Sequence, residues 1–292
     1  METWPGKLLL FGEYTVLLGG DALAIPLNGL SGKWVHDAAA PDERLQNWLS
    51  WLENQNTDHK LPWPIELAGF RSSVDAGMRF QSEIPPGYGL GSSGALVAAF
   101  VDKWTKAIPA SLDKRRHGLA QLESFFHGNS SGLDPLVSLQ KEAIHLLLDG
   151  SVVESPNITV PEGFFLVDTG LSRKTSPLVQ QFRAKIEQSD FRNVLQQDLM
   201  PRVSQAITAI IGGDTSDLKV AYQAISSFQA THFKEMIPAI VQDHWSGQDY
   251  DLKLCGAGGG GFFLGFAYSV KMPDLPFRTI PLQQWLSPHE QR

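Results

Sequence analysis

The chain has 292 residues and a net charge of −7, from 24 Lys and Arg against 31 Asp and Glu. With 42% hydrophobic and 19% charged residues it holds enough apolar material for one or two cores and too little charge for disorder. The negative balance excludes a general field for a nucleic-acid backbone, and the short basic run Lys114-Arg115-Arg116-His117 reads as solvated surface. No stretch reaches the roughly 18 apolar residues of a membrane span, so neither nucleic acid nor membrane is expected as a partner. Residues 1–6 lack the cationic start of a signal peptide. The single cysteine, Cys255, allows no internal disulfide and no cysteine-based zinc site, which suits a cytoplasmic protein.

Extended runs at 7–11, 15–18 and 22–25, the last ended by Pro26, predict strands of one sheet. Leu45, Trp48, Leu49 and Leu52 recur at helical spacing and predict a helix over 43–53. The turn-rich stretch 85–91 leads into a buried helix over 94–108, followed by helices over 112–126 and 135–140 and strands at 143–148 and 152–154. Pro161 and Gly163 lie in a stretch poor in large apolar residues, which places a boundary between domains 1–160 and 161–292. The second domain restarts with a strand at 164–168. Helical patterns then fill 176–245, and strands at 251–255 and 262–266 flank a glycine tract. The expected class is α/β with α+β character.

Three glycine-rich loops carry the chemistry. Residues 84–95, Ile-Pro-Pro-Gly-Tyr-Gly-Leu-Gly-Ser-Ser-Gly-Ala, combine a backbone free to wrap an anion with a helix N-terminus presenting unpaired N–H groups. Gly89-x-Gly91-x-x-Gly94 also satisfies the dinucleotide pattern. That motif, however, requires a buried apolar strand before the glycines and a strand ending in an acid after the helix. Arg79 to Glu83 and Asp113 to Arg116 supply neither. No Gly-Lys-Ser or Gly-Lys-Thr follows any glycine run, which excludes a Walker A loop. In the second loop, 253–262, five of six positions from Gly256 to Gly261 are glycine. Each sacrifices up to about 1 kcal/mol relative to alanine, so the tract implies close backbone approach. The third loop is Pro5-Gly6-Lys7 with Gly12-Glu13-Tyr14.

In order and separation these loops resemble the signature of the GHMP small-molecule kinases, the central one fitting Pro-x-x-x-Gly-Leu-Gly-Ser-Ser. Residues 123–134 and 168–175 look most like the mevalonate-kinase branch. Two positions depart from that branch: Tyr14 stands where a histidine is usual, as it does in phosphomevalonate kinases, and Gly94 stands where alanine is usual. The resemblance implies a two-domain fold, with an N-terminal α/β domain, a ferredoxin-like C-terminal domain and an active-site cleft between them. It also implies ATP and Mg²⁺ as cofactors and a small alcohol such as mevalonate as acceptor. A monomer or homodimer is expected.

The resemblance further assigns roles. Asp134 would be the general base and Lys7 the cation beside it; Asp134 also fits a helix cap before Pro135, and Lys7 an exposed strand start. Pro86, Gly87, Gly89, Leu90, Gly91, Ser92, Ser93 and Gly94 would cradle ATP phosphates. Glu123 with Ser93, or its neighbour Ser92, would hold Mg²⁺, the alternative for Glu123 being a surface pair with His127. Glu13, Tyr14, Arg173, Thr175, Gly256, Ala257 and Gly258 would contact substrate. His145, His232 and His244 read as structural or surface, and Cys255 as packing.

Overall fold

The first strand, β1 (Trp4–Phe11), is buried along its whole length, as its Leu8-Leu9-Leu10-Phe11 run demands. In the computed structural model, which describes residues 2–37, 42–154, 158–171, 175–269 and 271–287, it belongs to a five-stranded sheet. The expected strand at 15–18 is instead a 3-10 turn, Thr15–Leu18. Positive φ at Gly12, Tyr14 and Gly19 takes the backbone out of the extended region on both sides, and Val16 N–H closes the turn onto Gly12 O.

β2 (Ala22–His36) does not stop at Pro26. Its first residues pair with β4 (Ile144–Leu146) and its last with β3 (Met78–Ser82), both antiparallel. Pro26 falls between the two pairings, where its missing N–H interrupts neither ladder. The sheet order is β1-β2-β4-β5, with β3 also on β2 and with β5 (Val152–Glu154) pairing β4. β3 is therefore a strand ahead of the central glycine loop that the sequence does not announce. It is antiparallel and half exposed, unlike the buried parallel strand of a dinucleotide site.

The compact units interleave along the chain rather than meeting at one cut between residues 160 and 161. One comprises Met1–Lys7, Pro26–Pro85 and Gly91–Glu142; the other comprises Leu8–Ile25, Pro86–Leu90 and Ala143–Arg292. The first contains α1 (Glu43–Thr57), α2 (Leu67–Asp75), α3 (Ser92–Trp104), α4 (Leu112–His127) and α5 (Leu133–Gln140). α3 is buried from Gly94 to Val101 and touches α2, α4 and α5. Its core is aromatic: Phe100 lies 4.7 Å from Trp48 and 4.8 Å from Phe70, ring centre to ring centre. Asp42 caps α1 and Ser111 caps α4 through their side chains.

The second unit holds a sheet of order β7-β8-β6-β9, every pairing antiparallel, made of β6 (Phe164–Asp168), β7 (Tyr250–Leu254), β8 (Phe262–Ala267) and β9 (Arg278–Pro281). Between β6 and β7 run α6 (Thr175–Ile186), α7 (Ser189–Val194), α8 (Met200–Gly212), α9 (Thr215–His232) and α10 (Ala239–Gln242); α11 (Gln283–Leu286) follows β9. The strand order is that of a ferredoxin-like sheet, but no helix joins β8 to β9 among the described residues. No helix of the described residues is long and apolar enough to cross a membrane.

Gly265 on β8 faces Phe165 on β6, and a Cβ there would sit 2.2 Å from the buried Phe165 ring. Gly265→Ala should lower the unfolding free energy by about 1–3 kcal/mol through overpacking, measured by urea titration. An unchanged midpoint would contradict this packing.

Candidate active site

α3 starts without a side-chain cap and is a candidate anion site. Gly87, Gly89 and Gly91 have φ of 80, 80 and 73°, values that side-chain-bearing residues rarely adopt, and the helix opens directly at Ser92. The N-cap, Gly91, has no side chain to satisfy the first N–H groups, in contrast to α1 and α4. An uncapped helix start leaves its donors and its positive dipole end available for phosphate oxygens.

Beside Gly91 stands an ion pair, with Lys7 Nζ 2.8 Å from Asp134 Oδ1. Lys7 is almost fully buried and the Asp134 side chain is 28% exposed. A Cβ on Gly91 would lie 3.5 Å from both Asp134 Oδ2 and the Lys7 side chain. Asp134 is the second residue of α5, whose N-cap is Gly132, so it is not the helix cap the sequence also allowed. One turn further along α5, Ser138 Oγ donates to Pro5 O at 2.6 Å. Asp134 and Ser138 thus lie on one face of α5, and each engages β1, at Lys7 and at Pro5.

Glycine permits this docking at two positions. A Cβ on Gly94 would lie 2.8 Å from the Asp134 and Pro135 backbone, which accounts for glycine where alanine is usual, and one on Gly132 would lie 2.1 Å from Arg116 O. Helix α4 contributes Glu123 and His127, four residues apart on one face. Ser93 Oγ donates to Glu123 Oε1 at 2.9 Å and lies 2.8 Å from His127 Nε2; Ser130 Oγ donates to Glu123 Oε2. Glu123 is buried, so its alternative as a surface partner of His127 is replaced by a shared bond to Ser93.

Burial, followed by the charge of Asp134, pushes the Glu123 carboxyl up from 4.5 to about 7, against the pull of Ser130, Ser93 and Lys7. Burial likewise holds His127 below its usual value, helped by the Lys7 charge and opposed by Asp134. A carboxylate disfavoured by burial and a like charge, with a serine hydroxyl on it, is a donor set that fits a hard divalent cation completed by phosphate oxygens. Among the described residues no group of three or more His, Cys, Asp and Glu is assembled, so such a cation would depend on its ligand's oxygens.

The other unit holds Glu13, Tyr14, Pro86, Gly87, Gly89, Leu90, Gly256, Ala257 and Gly258. A Cβ on Gly261 would sit 3.0 Å from Tyr88 Cα, and Tyr88 lies 5.1 Å from Phe262 ring to ring, so loop 86–90 rests on the glycine tract. Glu13 forms a buried ion pair with Lys253, and Tyr14 is buried with its hydroxyl donating to Ala257 O at 2.7 Å. These contacts turn both side chains into the protein rather than toward an acceptor. Thr175 begins α6, and Arg173 lies outside the described residues. Ser130, Ser138 and Lys253 escaped the sequence reading. Only Lys253 left a signal, a lone charge in the apolar run Leu252-Lys253-Leu254.

Comparison with known proteins agrees with this geometry. Residues 63–141, which span α2 to α5, match the GHMP kinases N terminal domain. A mevalonate kinase of Archaeoglobus fulgidus is 26% identical over 273 residues, covering 89% of this chain and 90% of that protein. The fold is shared with L. major mevalonate kinase in complex with R-mevalonate (TM-score 0.59, 21% identity, 91% of this chain and 86% of that one). It is shared as well with Streptococcus pneumoniae phosphomevalonate kinase in complex with phosphomevalonate and AMPPNP (TM-score 0.61, 15% identity, 92% of each chain). The chain is similar to the GHMP kinases, and these matches support an ATP-dependent small-molecule kinase. Within that class it is mevalonate kinase-like.

Because the folded state raises the Glu123 pKa, the ionised carboxylate destabilises the fold. Stability falls as pH rises from 4.5 through about 7 and stays lower above that. Glu123→Gln should therefore raise the melting temperature of the metal-free protein at pH 8 by roughly a few degrees, with the difference closing toward pH 4.5. Equal melting at pH 8 would contradict the electrostatic account.

Proposed function

We propose that the protein transfers the γ-phosphoryl group of ATP to the primary hydroxyl of mevalonate, giving 5-phosphomevalonate, in the cytoplasm. The observation that carries the reading is the Lys7–Asp134 pair, 2.8 Å apart and next to the uncapped start of α3. Pure nucleotide binding has no use for a carboxylate paired with a nearly buried lysine, whereas phosphorylation of an alcohol uses both.

Bound Mg·ATP supplies the phosphoryl group and the cation that neutralises its oxygens. Ser93 and Glu123 would hold the Mg²⁺, and the α3 N-terminus with Gly89 to Ser93 would hold phosphate. Asp134 Oδ accepts the proton of the acceptor hydroxyl as the oxygen attacks. The Lys7 ammonium holds that carboxylate in place through the ion pair and stabilises the growing negative charge on the acceptor oxygen. Gly256, Ala257 and Gly258 are assigned to ligand contact from the glycine tract, and Arg173 and Thr175 to the acceptor.

Mevalonate as acceptor is supported by the named relatives, which match along nearly the whole chain. A second acceptor, phosphomevalonate, is favoured by the Gly12-Glu13-Tyr14 sequence. ADP release from Mg-ATP, measured against mevalonate, 5-phosphomevalonate, homoserine and galactose with the product identified by mass, separates them. Turnover with mevalonate alone is expected, with Asp134→Asn reducing kcat by about 10² or more while ATP affinity stays within a few-fold. Turnover with phosphomevalonate alone would move the protein to that acceptor, and undiminished turnover in the variant would remove the base.

A further inference from the structure

The glycine tract between β7 and β8 is held at its far end by backbone contacts. Gly259 N–H donates to Met236 O at 2.6 Å and Gly261 N–H to Leu171 O at 2.7 Å. Gly261 O accepts from Thr169 N–H and from Thr169 Oγ1. Cβ atoms at Gly258 and Gly260 would lie 2.5 and 2.7 Å from Met236 O and Leu171 O, so only glycine allows this approach. The near end is held by side chains instead. Glu13 pairs with the buried Lys253, whose ammonium also donates to Leu254 O at 2.8 Å, and the Tyr14 hydroxyl donates to Ala257 O at 2.7 Å. Two consecutive residues after β1 therefore grip the strand that enters the tract and the tract's second residue.

Tyr14 holds this grip in an unfavourable conformation. Its φ of 64° and ψ of −39° lie in a region that costs a residue with a side chain on the order of 1–3 kcal/mol, so its surroundings must enforce it. They do: the ring is buried and lies 4.4 Å from Phe182 and 5.3 Å from Phe233, centre to centre. A rigid ring fixed at that angle aims its hydroxyl at one carbonyl.

The peptide plane links that carbonyl to a donor. Ala257 C=O and Gly258 N–H belong to one planar trans peptide and point in opposite directions, so anchoring the oxygen sets the direction of the N–H. The Gly258 N–H makes no backbone hydrogen bond among the described residues, unlike those of Gly259 and Gly261. We propose that Tyr14 is a positioning residue that acts through the glycine tract, its hydroxyl holding the Ala257 peptide so that Gly258 N–H is presented to a ligand oxyanion. The oxyanion is a nucleotide phosphate or the carboxylate of the acceptor. This inference rests on the reading of the tract as a ligand-contacting segment.

Tyr14→Phe keeps the ring and removes only the hydroxyl. In the ligand-free variant, amide hydrogen exchange across 256–261 should rise by about tenfold, the effect of losing one ordinary hydrogen bond. The KM of one substrate should rise about fivefold or more, with a smaller change in kcat. A rise in the KM for Mg-ATP assigns the oxyanion to phosphate, and a rise in the acceptor KM assigns it to the carboxylate. Unchanged exchange in the tract, with or without a change in acceptor KM, overturns the proposal. Raised exchange with both KM values unchanged overturns the ligand role of the tract while leaving the kinase assignment to the substrate panel. Should the variant fold poorly, the wild-type protein still decides: the Tyr14 hydroxyl proton must be protected from exchange in its NMR spectrum, and a freely exchanging proton contradicts the contact.

Discussion

An ammonium can stand nearly out of water only with a carboxylate beside it, and the candidate site of this chain is built around one such pair. Lys7 comes from β1 and Asp134 from the first turn of α5, so the pair exists only while that helix lies directly against that strand. Two glycines make the approach possible. Gly94 lets α3 touch the Asp134 backbone, and Gly132 lets the chain enter α5 against Arg116. The bond from Ser138 to Pro5 fastens the same two elements one turn further along. The contact proposed to be catalytic is thus a consequence of helix packing.

Glu123 introduces the opposite tendency. It is buried, hydrogen-bonded by two serines, and close enough to Asp134 for the two carboxylates to repel, which leaves it balanced near neutrality. A fold of lowest energy would place an amide or an apolar side chain there. A divalent cation would relieve the tension, taking the Glu123 carboxylate as a ligand and placing a positive charge between the two repelling groups. On the proposed function, the stability given up at Glu123 would return as binding energy for Mg·ATP, and the uncapped start of α3 follows the same logic for phosphate.

Much of the site was legible in the sequence because its parts sit on short glycine-flanked segments whose composition would be costly in an ordinary turn or strand. The family resemblance that these segments carry named Lys7, Ser93, Glu123 and Asp134, and all four lie within one compact unit. Tyr14 could not be placed, because nothing in Gly-Glu-Tyr tells which way the ring turns. That is decided by Phe182 and Phe233, far along the chain. The strand expected at 15–18 failed for a related reason: its residues favour extension, but positive φ on either side closes the turn. β3 and β9 were missed because each is short and half polar, so that their alternation becomes visible only against a partner strand. The interleaved units were hidden because β1 and β2 each contribute to both.

If Lys7 and Asp134 act as one catalytic unit, a double-mutant cycle on turnover must show it. Lys7→Met, Asp134→Asn and the double variant are compared with wild type at saturating Mg-ATP and acceptor. Two groups that share one proton transfer leave the double variant no slower than the slower single variant, by strong non-additivity. Losses that simply multiply would show two independent residues and contradict the coupling on which this site is built.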